Sequence, residues 1–259
     1  MTYLKKIISK NQLTILLLLY KFRFLNTNQL QKLLKQKDRQ QLQLWLKDLT
    51  DRYFVFQDYS RKKIEDNNKP AIYNLKTKSN KILRDHKECD LILLRRSYKE
   101  SSLSRKFKER CMFIADIYIH LLTQAGKQAA VHFSTSTDLV KFSYFPDPLP
   151  DAYVAIKEPN KTRRYFIKLF DVGDPWKKKI KPDVEKYIQY FEDNIWQNHT
   201  KSSFPLLLII APDDRVKTYL FKFISKTFEE KSIDAPFYLA TKVQIKAEGI
   251  KPSTWERVK

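Results

Sequence analysis

Hydrophobic residues open the chain at helical spacing. Leu13, Leu16, Leu17, Tyr20 and Phe24 recur every three or four positions, which predicts a helix over Gln12–Phe22. Asn26 or Thr27 then caps a second helix, NTNQLQKLLKQ, with Leu30, Leu33 and Leu34 inward. Asp38 caps a third, whose apolar stripe is Leu42, Trp45, Leu46 and Leu49. Its opposite face carries Arg39, Gln40, Gln43 and Lys47. The period then changes from helical to alternating. Tyr53–Asp58 and Ala71–Leu75 read as two strands joined by a polar loop that begins YSRKK. Three helices followed by a basic-tipped hairpin is the order of a winged helix-turn-helix domain.

Residues 76–98 form a polar, charged join whose apolar middle, Ile92–Leu94, reads as a short helix or a strand. A long amphipathic helix follows from about Ser104 to Gln124. Beyond it, Ala129–Ser134 and Val140–Tyr144 are expected as strands, and Ala152–Ile156 with Arg164–Phe170 as a hairpin. Pro182–Gln197 reads as a helix, FPLLLIIAP as a central buried strand, Val216–Glu230 as a helix and Phe237–Ala240 as a last strand. The fold class expected is α/β in two domains. Residues 1–80 form the winged domain, 81–100 a linker and 101–259 an α/β layer domain.

Charge sharpens this picture. Fifty Lys and Arg stand against 29 Asp and Glu, a net charge of +21, and residues 1–80 hold 17 of the basic and 6 of the acidic side chains. A surplus concentrated in the winged third points to a polyanion, with double-stranded DNA as the expected partner. Arg and Gln read base edges and Lys holds phosphate. The expected DNA-binding residues are therefore Lys37, Arg39, Gln40, Gln43 and Lys47 around the third helix, with Arg61, Lys62 and Lys63 in the hairpin loop. The alternative is a winged helix used only for pairing with another protein.

Three glycines in the whole chain argue against a phosphate-cradling loop or a dinucleotide fold, so no organic cofactor is expected. Two cysteines, Cys89 and Cys111, give neither a disulfide framework nor a zinc site, which fits a reducing cytoplasm. The apolar run Ile15–Tyr20 is too short to span a bilayer, and no membrane association is expected.

The stretches LTILLLLYKFRFLNTNQLQKLL, LPDAYVAI, RYFIKLFD and YIQYFE, in this order and spacing, resemble the replication-relaxation family of plasmid and mobile-element proteins. The resemblance covers most of the chain. It implies a winged-helix DNA-binding domain and a C-terminal domain similar to the PD-(D/E)xK nuclease fold. It also implies a role in replication or mobilisation of extrachromosomal DNA, beside a relaxase or a replication protein.

Cutting a phosphodiester with Mg²⁺ needs at least two hard oxygen ligands and a lysine. Asp151, after Pro150, supplies one carboxylate. On the next strand Phe166, Lys168 and Phe170 share a face, so the acid expected two residues before Lys168 is a phenylalanine. Asp171 would complete the site only through a bulge, and Glu109 or Asp116 on the preceding helix are the other candidate carboxylates. The catalytic candidates are thus Asp151, Lys168 and Asp171, with Asp151 and Asp171 as metal ligands if the domain cuts. The expectation is a non-catalytic DNA binder; the alternative is a Mg²⁺-dependent nuclease with a degenerate motif. His86, His120, His132 and His199 are scattered, so the histidine cluster of a relaxase is missing. In the helix EKYIQYFEDNIW, Tyr187, Phe191 and Ile195 are expected to pack on the sheet. Tyr190 and Trp196 are placed at the rim, where they could stack single-stranded DNA or meet a second copy in a homodimer.

Overall fold

The computed structural model describes residues 8–59, 69–126, 129–171 and 176–259, with only the backbone of 176–179. Two units divide the chain, Met1–Ile119 and His120–Lys259.

In the first unit, α1 (Lys10–Phe22) starts at Ser9, whose hydroxyl accepts from the Gln12 N–H while the Gln12 side chain accepts from the Ser9 N–H. Such a box satisfies two of the donors that a helix start leaves orphaned. The same Gln12 donates to Asp48 at 2.7 Å, tying α1 to α3. After α1 comes β1 (Leu25–Asn26) and then α2 (Thr27–Leu33), where Asn26 is the cap and Gln29 closes a second box. Asp38 caps α3 (Arg39–Asp51) by accepting from Gln40 and Gln41. Leu42, Leu46 and Leu49 of α3 are fully buried, whereas Trp45 is half-buried.

The hairpin strands are β2 (Val55–Asp58) and β3 (Ile72–Leu75), and β1 adds to the outer side of β3, giving an antiparallel sheet in the order β1-β3-β2. Two-residue β1 carries no period of its own and exists through its pairing, Leu25 with Tyr73 and Asn26 with Ile72. The polar join contains two short helices, α4 (Asn80–Leu83) and α5 (Leu91–Leu94), so its apolar middle is helical. A buried carboxylate knots this join to α1: Glu100, 2% exposed, takes Arg23 at 2.9 Å and Arg96 at 3.4 Å. Burial pushes the Glu100 carboxyl upward against the pull of the two guanidiniums. The helix α6 (Arg105–Gln124) follows, and the division between units falls within it.

The second unit is built on a six-stranded mixed sheet, β4-β5-β6-β7-β8-β9. Its elements are β4 (Ala130–Thr135), α7 (Ser136–Leu139), β5 (Ala152–Glu158), β6 (Lys161–Leu169), α8 (Trp176–Glu192) and α9 (Ile195–Thr200). They continue with β7 (Leu206–Ala211), α10 (Asp214–Lys231), β8 (Phe237–Thr241), α11 (Lys242–Glu248) and β9 (Glu256–Arg257). Strands β4 to β6 are antiparallel, β6 to β8 parallel, and α8 and α10 are the two crossovers. Both helices bury the same sheet face. There Phe166 and Phe170 of β6 and its exit, Leu207 and Ile209 of β7, and Phe237 and Leu239 of β8 meet apolar side chains of α8 and α10. Burying each of these residues contributes about 1.5–3 kcal/mol before chain entropy is set against it.

Three expectations are corrected. Val140–Tyr144 is a turn, not a strand: Val140 and Phe142 are 53% and 38% exposed, so the alternation of apolar residues there follows no sheet face. The helix expected at Pro182 begins at Trp176, with Pro182 inside it, and it stops before Asn194, which is left-handed at φ 52°. Tyr190 and Trp196 are not rim residues but are 5% and 3% exposed, donating to the carbonyls of Tyr144 and Ser203. It is Ile195 that faces outward, at 39%. The αL turn at Asn194 resets the helical phase, which is why the spacing misplaces Ile195 and Trp196, whereas Tyr190, before the turn, is covered by the segment whose Tyr144 carbonyl it bonds.

Several helix ends and turns are made without glycine. Arg23, Lys35, Tyr53, Asn194, Lys201 and Ser232 all hold positive φ, and Gly249 is the only glycine that does so among the described residues.

Candidate functional site

Two sets of side chains carry the chemistry read from the sequence, one in each unit. In the first unit, Lys37, Arg39, Gln40, Gln43 and Lys47 are all exposed. Arg39, Gln43 and Lys47 follow one another at intervals of four, one above the other on the α3 surface, alongside the buried stripe of Leu42, Leu46 and Leu49. Lys47 is held loosely by Asp51, at 2.8 Å in the open, and that carboxylate raises its pKa. An exposed pair of this kind is weak and competes poorly with a phosphate. Arg61, Lys62 and Lys63 lie outside the described residues.

In the second unit, Ala152 of β5 pairs with Ile167 of β6, which sets Asp151 opposite Lys168 on neighbouring strands. Residues so placed share a sheet face. Asp151 is stitched to β6 twice: its N–H donates to the Ile167 carbonyl at 2.8 Å, and its Oδ2 accepts from the Leu169 N–H at 2.8 Å. Lys168 is 5% exposed. Its ammonium lies 3.4 Å from the Leu149 carbonyl and 3.5 Å from Asp183 of α8, with the rings of Phe170 and Tyr187 beside it. Asp171 is held in a close ion pair by Lys242 of α11.

Asp183 escaped the sequence reading, although a second Pro-Asp pair, Pro182-Asp183, was the available signal. Glu109 and Asp116 are engaged elsewhere, Glu109 with Arg105 and Asp116 with Gln29 of α2.

The position where a cutting core needs its second acid is filled by Phe166, which is fully buried. Its ring lies 5.3 Å from Trp196, 5.8 Å from Phe145 and Phe204 and 5.9 Å from Tyr153. A hard cation takes several oxygens; here Asp151 already accepts a backbone N–H, Asp183 faces the Lys168 ammonium, and a phenyl ring stands where the second strand acid would. Among the described residues no three His, Cys, Asp or Glu side chains converge. The opposite face of the sheet borders an apolar cavity of about 650 Å³, lined by Ile156, Tyr165, Leu208, Tyr238 and Trp255 among others, and none of the predicted site residues reaches it.

The sequence profile of the family described as Replication-relaxation matches residues 16–207, from the middle of α1 into the first residues of β7. The chain belongs to the replication-relaxation family. Membership points to a role in replication or mobilisation. The matched span holds both α3 and the Asp151–Lys168 corner, and it stops before α10, β8 and α11. No curated protein and no solved structure shows significant similarity to this family member. No helix among its described residues is long and apolar enough to cross a membrane.

Proposed function

We propose that this replication-relaxation protein binds double-stranded DNA in the cytoplasm and acts, without cutting, in the replication or mobilisation of a plasmid or mobile element. The first unit is read as a winged helix-turn-helix domain, with α3 entering the major groove and the β2–β3 hairpin as the wing. The observation that carries the reading is α3 itself. Its Leu42, Leu46 and Leu49 are sealed in the core, and it holds Arg39, Gln40 and Gln43, the side-chain types that address guanine and adenine edges, out to solvent. The order β1-β3-β2 supports it, since β1 braces the hairpin between α1 and α2.

The second unit is read as a PD-(D/E)xK-like layer domain that has lost its cleavage chemistry. Phe166 in the aromatic core and the engagement of Lys168 with Asp183 support that half. Anisotropy titrations of labelled duplex at two salt concentrations, with and without Mg²⁺, test both halves. The expected result is salt-sensitive binding of intact DNA. Arg39→Ala and Gln43→Ala should each cost about 1–3 kcal/mol on the preferred sequence and little on others. Binding indifferent to both substitutions would sink the α3 reading. Mg²⁺-dependent cutting that vanishes in Asp151→Ala would sink the non-catalytic one.

A further inference from the structure

Val55 pairs with Leu75 at the end of the hairpin away from its loop. There the first unit has a cavity of about 320 Å³, bordered by Tyr53, Asn74, Lys76, Lys78, Ser97 and Tyr98 among others. Its size lies at the low end for small-molecule sites and suits one nucleotide rather than a length of strand. Three features of its wall point to the same ligand.

Tyr98 and Tyr53 are 76% and 63% exposed, so two aromatic rings stand at the mouth. The Lys76 and Lys78 ammoniums lie 5.0 Å and 5.3 Å over the rings of Tyr53 and Phe54, with no carboxylate among the described residues paired to either. Asn74, 1% exposed, lines the cavity, and its Oδ1 is buried without a donor. The amide cannot satisfy that oxygen by turning over. Its Nδ2 donates to the Leu75 carbonyl at 3.0 Å, and the flip would set oxygen against oxygen.

We infer that this cavity takes one unpaired nucleotide of a DNA strand. The base stacks on an exposed tyrosine, its N–H edge supplies the donor that Asn74 Oδ1 lacks, and its phosphate meets Lys76 and Lys78. The combination selects against duplex. A base inside a helix has both faces stacked and its Watson–Crick N–H already given to its partner, so only an unpaired base can offer face and edge together. The inference rests on the DNA-binding reading above and adds a second contact. With α3 on duplex and this cavity on a single strand, the first unit would favour a junction between the two.

The test compares the full-length protein on a blunt duplex, on the same duplex with a ten-nucleotide tail at either end of the strand, and on the tailed duplex made abasic along the tail. Tailed DNA is expected to bind at least about fivefold tighter than blunt, the lower end of what stacking one base supplies. The abasic tail should bind like the blunt duplex. Tyr98→Ala should erase the gain without changing blunt affinity, and Tyr98→Phe should keep it. Because Tyr98 is mostly exposed, its removal leaves the core intact. A gain that survives the abasic tail or Tyr98→Ala means only charge is at work and overturns the inference. Blunt duplex that binds with no gain from a tail overturns it too and leaves the α3 reading standing. Failure of every DNA to bind removes both.

Discussion

Replacing Lys168 by Met separates a working ammonium from one that the core merely tolerates. The ammonium sits 3.5 Å from Asp183 and 3.4 Å from a carbonyl, both long for strong charge-assisted contacts. Two unit charges at 3.5 Å attract by roughly 5 kcal/mol at an effective dielectric of about 20. Asp183 is 35% exposed, so solvent screens part of that. Against it stands the desolvation of the buried ammonium, several kcal/mol in its own right. The two nearly cancel. Methionine keeps the aliphatic stem between the rings of Phe170 and Tyr187 and removes the charge. Lys168→Met should therefore range from unchanged to about 2 kcal/mol more stable. Asp183→Asn, which takes the carboxylate from a buried lysine, should cost about 2 kcal/mol, discounted from the fully buried case for the exposure of Asp183. Urea midpoints followed by circular dichroism and tryptophan fluorescence give the order. If Lys168→Met is the more damaging of the two, or if it abolishes a DNA-processing activity, the reasoning fails and the lysine is serving chemistry.

Two further outcomes follow from burial. Phe166→Glu, which would rebuild the acid-x-lysine pattern on β6, is expected to unfold the second unit rather than create metal-dependent cleavage, since it sets a carboxylate among the rings of Phe145, Trp196 and Phe204; Phe166→Ala should cost about 3–5 kcal/mol. Mg²⁺-stimulated nicking by folded Phe166→Glu would refute this. The carboxyl of Glu100 titrates above the ordinary value near 4.5, so the folded state holds its proton more tightly than the unfolded chain does. Its contribution to stability is full below that ordinary value and is lost as pH rises through the raised one. Glu100→Gln, which mimics the protonated form, should match or exceed the parent in melting temperature at pH 7, with the difference closing towards pH 4; a clear loss at pH 7 would show that the pairing with Arg23 and Arg96 outweighs burial.

What could be read from the sequence was whatever a single element decides for itself. The helices α1 to α3 announced themselves through leucine spacing and through Asn26 and Asp38 at their starts, and β7 through an unbroken apolar run. What depends on a second element was hidden. β1 exists only because β3 lies beside it, and the α4–α5 join is fixed by Glu100 reaching Arg23, 77 positions earlier. At the candidate site, the missing acid was legible as Phe166. The partner of Lys168 was signalled only by the Pro182-Asp183 pair, and no spacing along the chain sets that pair against β6. The apolar residues Val140, Phe142 and Tyr144 alternate like a strand, and no pattern of hydrophobicity distinguishes that from a turn whose Tyr144 and Phe145 rings plug into the core beside Trp196.

Six side-chain-bearing residues in a conformation that glycine would adopt freely amount to a stability reserve left undrawn. Each left-handed residue with a Cβ costs on the order of 1 kcal/mol. Lys35, Lys201 and Ser232 sit just past the ends of α2, α9 and α10, where a glycine would close the helix without strain. The fold is thus tuned well short of its ceiling, and a protein engineer wanting a hardier version would begin at those three turns, leaving the cores of both units and every residue proposed to touch DNA as they are.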